Sequence, residues 1–481
     1  MSNIIKINPA ANNPCTPEQA KISAMASLLS NIEAINLKEV CESLGWKSDS
    51  EGKPPAQKYI RIAIIDTLIK TAQKNNWHIV HSTGYFYIFN GAFWVPLEDS
   101  EVKKLLKDAA IKMGYTEIEC RDYTFIDKLF QQAEQDGFFV ERNTTKQSII
   151  NLKNGSLVLS ESGIKMKDFD YRDFMTHQLD FAYNPKAVNQ TFLDYLAHVP
   201  NKDTRRTLQE VAGYLFIKGL KMEKIFFLFG TGANGKSVFF EVLSGVLGSD
   251  NISNYSLESL TDENGYYRAM IKDKVVNYGS DIKLTKINPD TFKQMASGEP
   301  VQARLPYGNP FQMTDYAKLI FNVNKMDSAN MEHTNGFYRR LLIIPFNKTI
   351  PEEEQDKDFH KKILQDRPGV LNWIIEGAER VIKNRDIFIS SECKMFKNKF
   401  IKESDSVAMY EADFLETMKG TVYFKTVAEA YTEYKAFCQD AGHKHPLGRN
   451  NFSSRMEALG FERTRQAAGI FLEKNFIEKR L

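Results

Sequence analysis

The sequence predicts an α/β chain built around a phosphate-binding domain with a mostly parallel sheet. Three observations predict it. Lys224 to Gly248 reads KIFFLFGTGANGKSVFFEVLSGVLG: a short apolar run, a glycine-rich turn, then Val238, Leu243, Val246 and Leu247 as apolar positions for a helix. Residues 224–347 alternate short apolar runs with helical stretches, the sign of crossover units feeding one sheet. Both flanks follow other rhythms, so further domains stand on either side.

The turn, Gly230-Thr231-Gly232-Ala233-Asn234-Gly235-Lys236-Ser237, fits the pattern G-x-x-x-x-G-K-[ST]. Its glycines open backbone dihedrals closed to other residues, so successive N–H groups can face phosphates. The helix beginning near Lys236 adds its positive N-terminal end. Lys236 would reach the β- and γ-phosphates, and Ser237 would ligand Mg²⁺. The bland alternative is a turn that happens to carry Gly-Lys-Ser, and the flanking strand and helix argue against it.

Length and composition bound the rest. A chain of 481 residues has room for two to four domains. With 63 Lys and Arg against 61 Asp and Glu, any nucleic-acid surface must be local. The cysteines Cys15, Cys41, Cys120, Cys393 and Cys438 lie far apart with no C-x-x-C, which argues against a zinc ribbon and a disulfide framework and fits a reduced, cytoplasmic protein. The first residues lack a signal-peptide pattern, and no apolar run approaches the roughly 20 residues of a membrane span.

Four segments are expected. Residues 1–55 read as a polar tail, a helix at Thr16–Leu29 and a linker. Residues 56–188 read as an α+β domain with helices near 59–74, 100–113 and 123–136. It carries an aromatic hairpin turning at Asn90-Gly91 and a strand pair around Asn154-Gly155. Residues 189–390 hold a helical lead-in and the phosphate-binding domain, with strands at Ile225–Phe229, Lys274–Gly279, Lys318–Val323 and Leu341–Pro345. Residues 391–481 begin with a lysine-rich stretch and end in helix, helix and two short strands, a winged-helix pattern. Within them, 441–481 is locally basic.

Four groups downstream of the loop bear on chemistry. Asp281 follows an apolar strand and suits Mg²⁺ and water, although a lone Asp there is more often a turn residue. Arg304, Tyr307 and Asn309 sit at the tip of an expected hairpin. A cation beside a stacking surface suits single-stranded nucleic acid, and a plain surface hairpin fits these residues equally well. Asn324 ends a strand, where an amide can orient an attacking water or merely start a turn. Arg339 and Arg340 precede another strand, as an exposed basic turn or as guanidinium groups acting on a neighbouring subunit.

In this order the pieces resemble the superfamily 3 helicases, most of all the phage/plasmid and poxvirus type of primase–helicase. The matching segments are GTGANGKS at 230–237, KVVNYGSDI at 274–282, FKQMASGEPVQARLPYGNPF at 292–311, KLIFNVN at 318–324 and GFYRRLLIIPF at 336–346. Upstream, INLKNGSLVL at 150–159 and QLDFAYNPKA at 178–187 resemble the domain that precedes the ATPase in that family. The resemblance implies an AAA+-like P-loop ATPase, an N-terminal α+β domain and a C-terminal winged helix. It implies a ring, usually a hexamer, that moves on single-stranded and forked DNA at the expense of ATP. By that likeness Gly230 to Ser237 hold ATP, Ser237 and Asp281 hold Mg²⁺, and Asn324 is the sensor. Arg340 is the finger reaching the neighbouring subunit's nucleotide, with Arg339 the second choice. Arg304, Tyr307 and Asn309 track DNA, and Arg449, Asn450, Asn451 and Arg455 lie near the winged helix's reading helix. Ser280 stands where many relatives carry a second acid, so the catalytic base is open. The first 80 residues are too short for a primase domain, so primer synthesis is expected from a separate partner. Two other readings remain: an origin-binding initiator in which ATP controls assembly, and an ATP-dependent sensor or defence protein on the same ring.

Overall fold

The computed structural model describes residues 17–47, 53–75, 78–82, 84–136, 147–198, 201–280, 287–306, 308–324, 334–415, 421–441 and 446–475. The chain forms two compact units, Met1–Tyr183 and Asn184–Leu481.

In the first unit, helices Pro17–Ser30, Leu37–Ser43, Gln57–Lys74, Asp99–Lys112 and Tyr123–Asp136 share a core with one face of a three-stranded antiparallel sheet, Ile79–Ser82, Tyr85–Phe89 and Trp94–Leu97. Alternation along the middle strand sorts its side chains to two faces. Phe86 and Ile88 join the helical core of Leu28, Cys41, Ile64, Leu68 and Leu129. Tyr87 and Phe89 join Trp94 and Phe174 on the other face, where the Trp94 indole donates to the Tyr171 carbonyl at 2.7 Å. The helix at the head of the chain is thus part of this core, through Ala24 and Leu28.

One turn and one strand differ from what the sequence predicts. The Asn90-Gly91 connection runs over residues 90–93, because the Asn90 amide oxygen accepts from the N–H groups of Ala92 and Phe93, each at 2.9 Å. Asparagine bonding its own backbone displaces the tighter hairpin turn. The strand pair Ser148–Leu152 and Gly155–Ser160 has a third member, Gly163–Lys167, whose alternation is too polar to stand out in the sequence.

The second unit is organised on a five-stranded parallel sheet. Its order is Leu341–Pro345, Ile225–Phe229, Lys318–Val323, Val276–Gly279, Ile252–Ser253. The first four were expected; the two-residue edge strand was too short to read. Both faces of the inner strands are covered, which explains their near-continuous apolar sequence. Phe227, Phe321 and Ile343 pack on one side. On the other, Phe226 meets Tyr214 of helix Lys202–Tyr214. Glu210 of that helix is fully buried and accepts from Arg206 Nε at 2.9 Å, Arg380 Nε at 3.0 Å and the Phe388 N–H at 2.7 Å. This carboxylate ties the lead-in helix to helix Arg367–Asn384 beyond the sheet.

Lysine-rich residues 391–404 form helix Ser391–Ser404, anchored by buried Cys393 and Phe400. The last elements are Val422–Thr426, helices Val427–Asp440 and Arg449–Ala458, and strands Glu462–Gln466 and Gly469–Asn475. Strand Val422–Thr426, absent from the sequence reading, pairs antiparallel with Gly469–Asn475 and closes a three-stranded sheet. Tyr423, Tyr434, Phe452, Met456 and Leu472 form its core.

Candidate phosphate-binding site

The loop Gly230–Gly235 leaves the C-terminal end of strand Ile225–Phe229 and enters helix Lys236–Leu247. Its path requires its sequence. A Cβ on Gly230 would lie 2.0 Å from the Asn234 side chain and 2.6 Å from the Phe346 carbonyl. Gly232, Ala233 and Gly235 all have positive φ, at +117°, +47° and +83°. A left-handed alanine costs about 1–2 kcal/mol, so its surroundings must hold it. They do: the Ala233 carbonyl accepts from the Ile350 N–H at 2.7 Å, and the Gly230 N–H donates to the Val323 carbonyl at 3.1 Å.

Helix Lys236–Leu247 begins at Gly235 with no side-chain cap. Its first N–H groups and its dipole therefore face the loop, the arrangement that favours an anion. Lys236 is buried and folds back over the loop, donating to the Gly230 carbonyl at 2.6 Å and to Asn234 Oδ1 at 2.9 Å. Ser237 and Thr231 are exposed. A cradle closed to a Cβ, an uncapped helix end and an ammonium fit a polyphosphate, so the loop residues and Lys236 would hold the phosphates of ATP. Ser237 would offer its hydroxyl to Mg²⁺. Its expected partner Asp281 lies outside the described residues, one position after exposed Ser280 at the end of strand Val276–Gly279. Among the described residues no group of three His, Cys, Asp or Glu side chains gathers to hold a metal.

One contact escaped the sequence reading. Tyr195 of helix Gln190–His198 is buried, and its hydroxyl donates to the Gly235 carbonyl at 2.8 Å. Its ring lies 3.1 Å from where a Gly235 Cβ would be. Burial drives its phenol pKa far above the usual value, so it remains a donor. Tyr195 reads as one aromatic on an amphipathic helix, and nothing local in the sequence points it at a loop 40 residues on.

Asn324 is exposed and follows strand Lys318–Val323, the neighbour of the loop strand. Val323 pairs with Phe229, so Asn324 stands beside the root of the loop. The arginines lie elsewhere. Arg340 immediately precedes strand Leu341–Pro345, which runs parallel to Ile225–Phe229 with Leu341 opposite Ile225. It therefore sits at the end of the strands opposite the loop, roughly 13–17 Å away at the usual rise per strand residue. Its guanidinium donates to Ser297 Oγ, from Nη2 at 2.9 Å and from Nε at 3.2 Å, and to the Gly336 carbonyl at 2.6 Å. Arg339 is exposed and 3.4 Å from Glu223.

The expected hairpin is present as Val301–Ala303 and Phe311–Met313. Arg304 and Asn309 are exposed near its tip, with Arg304 Nε donating to the Gly308 carbonyl at 3.1 Å; Tyr307 lies outside the described residues. Buried Arg268 braces the hairpin's base by donating to the Gln302 and Leu260 carbonyls at 2.8 and 3.0 Å. In the terminal fold, Arg449, Asn450 and Asn451 are exposed on the first turn of helix Arg449–Ala458. Arg455 is committed inward: its Nε and Nη2 bond Asp405 Oδ2 at 2.6 and 2.5 Å, and that carboxylate is 1% exposed.

Three family models match in succession. Residues 64–211 match "D5 N terminal like", 228–340 match a family of unknown function (DUF5906), and 402–478 match "Poxvirus D5 protein-like". No curated protein matches the chain. Among solved structures, the A form apo structure of the NrS-1 C-terminal region is similar at 9% identity and a TM-score of 0.48, covering 84% of this chain and 98% of that one. An apo structure of the same region, residues 305–718, is similar at 10% identity and a TM-score of 0.44, covering 84% and 97%. The two D5 matches, before and after the loop-bearing segment in sequence, make this chain similar to the D5-like proteins of the phage and poxvirus primase–helicase type.

Proposed function

We propose that the chain is an ATP-dependent DNA helicase or translocase of a phage, plasmid or related element, working as a ring during replication. One observation carries the reading: the phosphate loop and Arg340 sit at opposite ends of two neighbouring strands of one parallel sheet. The arginine cannot reach the loop of its own chain, so a complete site needs a second copy. A ring supplies that copy at every interface.

Mg²⁺-bound ATP supplies the phosphoanhydride whose hydrolysis drives movement. The chain supplies the rest. The loop N–H groups and Lys236 bind and orient the phosphates. Ser237 and Asp281 would hold the cation. Asn324, beside the loop root, orients water. Arg340 of the adjacent copy stabilises charge developing on the transferred phosphoryl oxygens. The hairpin carrying Arg304, Tyr307 and Asn309 grips single-stranded DNA. The terminal fold acts as a winged helix that engages forked DNA through Arg449 and Asn450, with Arg455 holding the fold together.

The test is ATP hydrolysis by the full chain with and without single-stranded DNA, followed by strand displacement on a fork. Stimulation by DNA, lost in Lys236→Ala, is expected. Hydrolysis indifferent to DNA would overturn the motor reading.

A further inference from the structure

The terminal fold has a cavity of about 450 Å³ lined by Val427, Arg449, Asn450, Ser453, Ser454, Arg463 and Ile470. Its wall joins the first turns of helix Arg449–Ala458 to strand Glu462–Gln466. Two guanidinium groups, an amide and two hydroxyls make its chemistry that of an anion site. The helix starts at Gly448 without a side-chain cap, so its leading N–H groups add to the positive end. An independent sign comes from Ser453. It is 3% exposed, and its hydroxyl is buried with no hydrogen-bond partner. Such a group costs stability unless a ligand completes it. Among the described residues no carboxylate pairs with Arg449, and Arg463 meets only exposed Glu457, at 3.3 Å.

We propose that this cavity is a phosphate-binding site that holds a backbone phosphate of nucleic acid between the start of helix Arg449–Ala458 and Arg463 of strand Glu462–Gln466. The proposal rests on the DNA-binding reading above and changes its content. A phosphate contact fixes position and carries no base information. The exposed first turn of this helix then serves sequence-independent engagement of a fork rather than reading of an origin. It also brings in Arg463, Ser453 and Ser454, which no motif indicated. Arg463 lies in a run of alternating charge, Glu462-Arg463-Thr464-Arg465, that reads as a solvated strand.

The test measures binding of the full chain to short duplexes of two unrelated sequences across a salt series, with inorganic phosphate as competitor. Arg463→Ala is compared with Arg465→Ala, which removes an equal charge from the same strand but does not line the cavity. The expected result is a roughly tenfold loss in Arg463→Ala on both duplexes, with a salt slope shallower by about 1, and a much smaller loss in Arg465→Ala. Ser453→Ala should weaken binding with no loss of thermal stability, because its hydroxyl has no partner within the fold. Competition by inorganic phosphate supports the same site. Equal losses in both arginine variants, or unchanged binding in both Arg463→Ala and Ser453→Ala, would overturn the cavity and leave the DNA-binding reading standing. A wild-type chain that binds neither duplex would overturn both.

Discussion

The two ends of the central parallel strands make an instructive contrast. At one end, strand Ile225–Phe229 opens into a loop with features that fit a polyphosphate: forced glycine geometry, an uncapped helix and a buried lysine. At the other, the strands are preceded by Lys224, Arg339 and Arg340, with Arg340 held by Ser297 and the Gly336 carbonyl and Arg339 beside Glu223. Lys224 donates to the Arg339 carbonyl at 2.6 Å, and burial followed by the neighbouring arginines lowers its pKa despite Asp386 and Glu223. Under the proposed function one end would hold the phosphates and the other would act on a neighbouring copy, and the parallel strands keep the two apart.

Four substitutions break or sharpen this contrast. The largest effect is expected for Lys236→Ala, which removes the loop's only ammonium; hydrolysis measured by phosphate release should fall to background. Arg340→Ala comes next. It should lower the hydrolysis rate about 10³-fold or more while leaving nucleotide binding, followed with a fluorescent ATP analogue, near wild type. Were binding lost as well, the two strand ends would not have separate tasks. Arg455→Ala should destabilise the terminal fold by about 3 kcal/mol, read as a lower melting temperature, because it strands the buried Asp405 carboxylate. ATP hydrolysis without DNA should survive it. Tyr195→Phe is the mildest. Losing one buried hydrogen bond to Gly235 should weaken nucleotide binding roughly tenfold, with the ring still packed and the melting temperature little changed. If only the melting temperature moved, Tyr195 would be a packing residue and nothing more.

How legible these features were follows from how local their causes are. The loop, its strand and its helix were readable because glycine, lysine and apolar positions act over a few neighbouring residues. The inner strands were readable because burial on both faces writes continuous apolar runs, while edge strand Ile252–Ser253 leaves no such mark. Features built by distant residues were hidden. The tie from Tyr195 to Gly235 spans 40 positions and the pair Arg455–Asp405 spans 50. Arg455 looked like a DNA contact because helix position predicts exposure only until a buried acid claims the side chain. Strand Val422–Thr426 was missed because its partner lies about 50 residues downstream, at Gly469–Asn475, and only that pairing reveals it.

The central claim is that hydrolysis needs the loop of one copy and the arginine of another. Mixing tests it most directly. Lys236→Ala and Arg340→Ala chains are each expected to hydrolyse ATP poorly or not at all, but where an Arg340→Ala loop faces the intact arginine of a Lys236→Ala neighbour, a whole site would form. The account predicts that subunits exchanged between the two variants recover ATP hydrolysis that neither shows alone. No recovery from variants shown to co-assemble would contradict it.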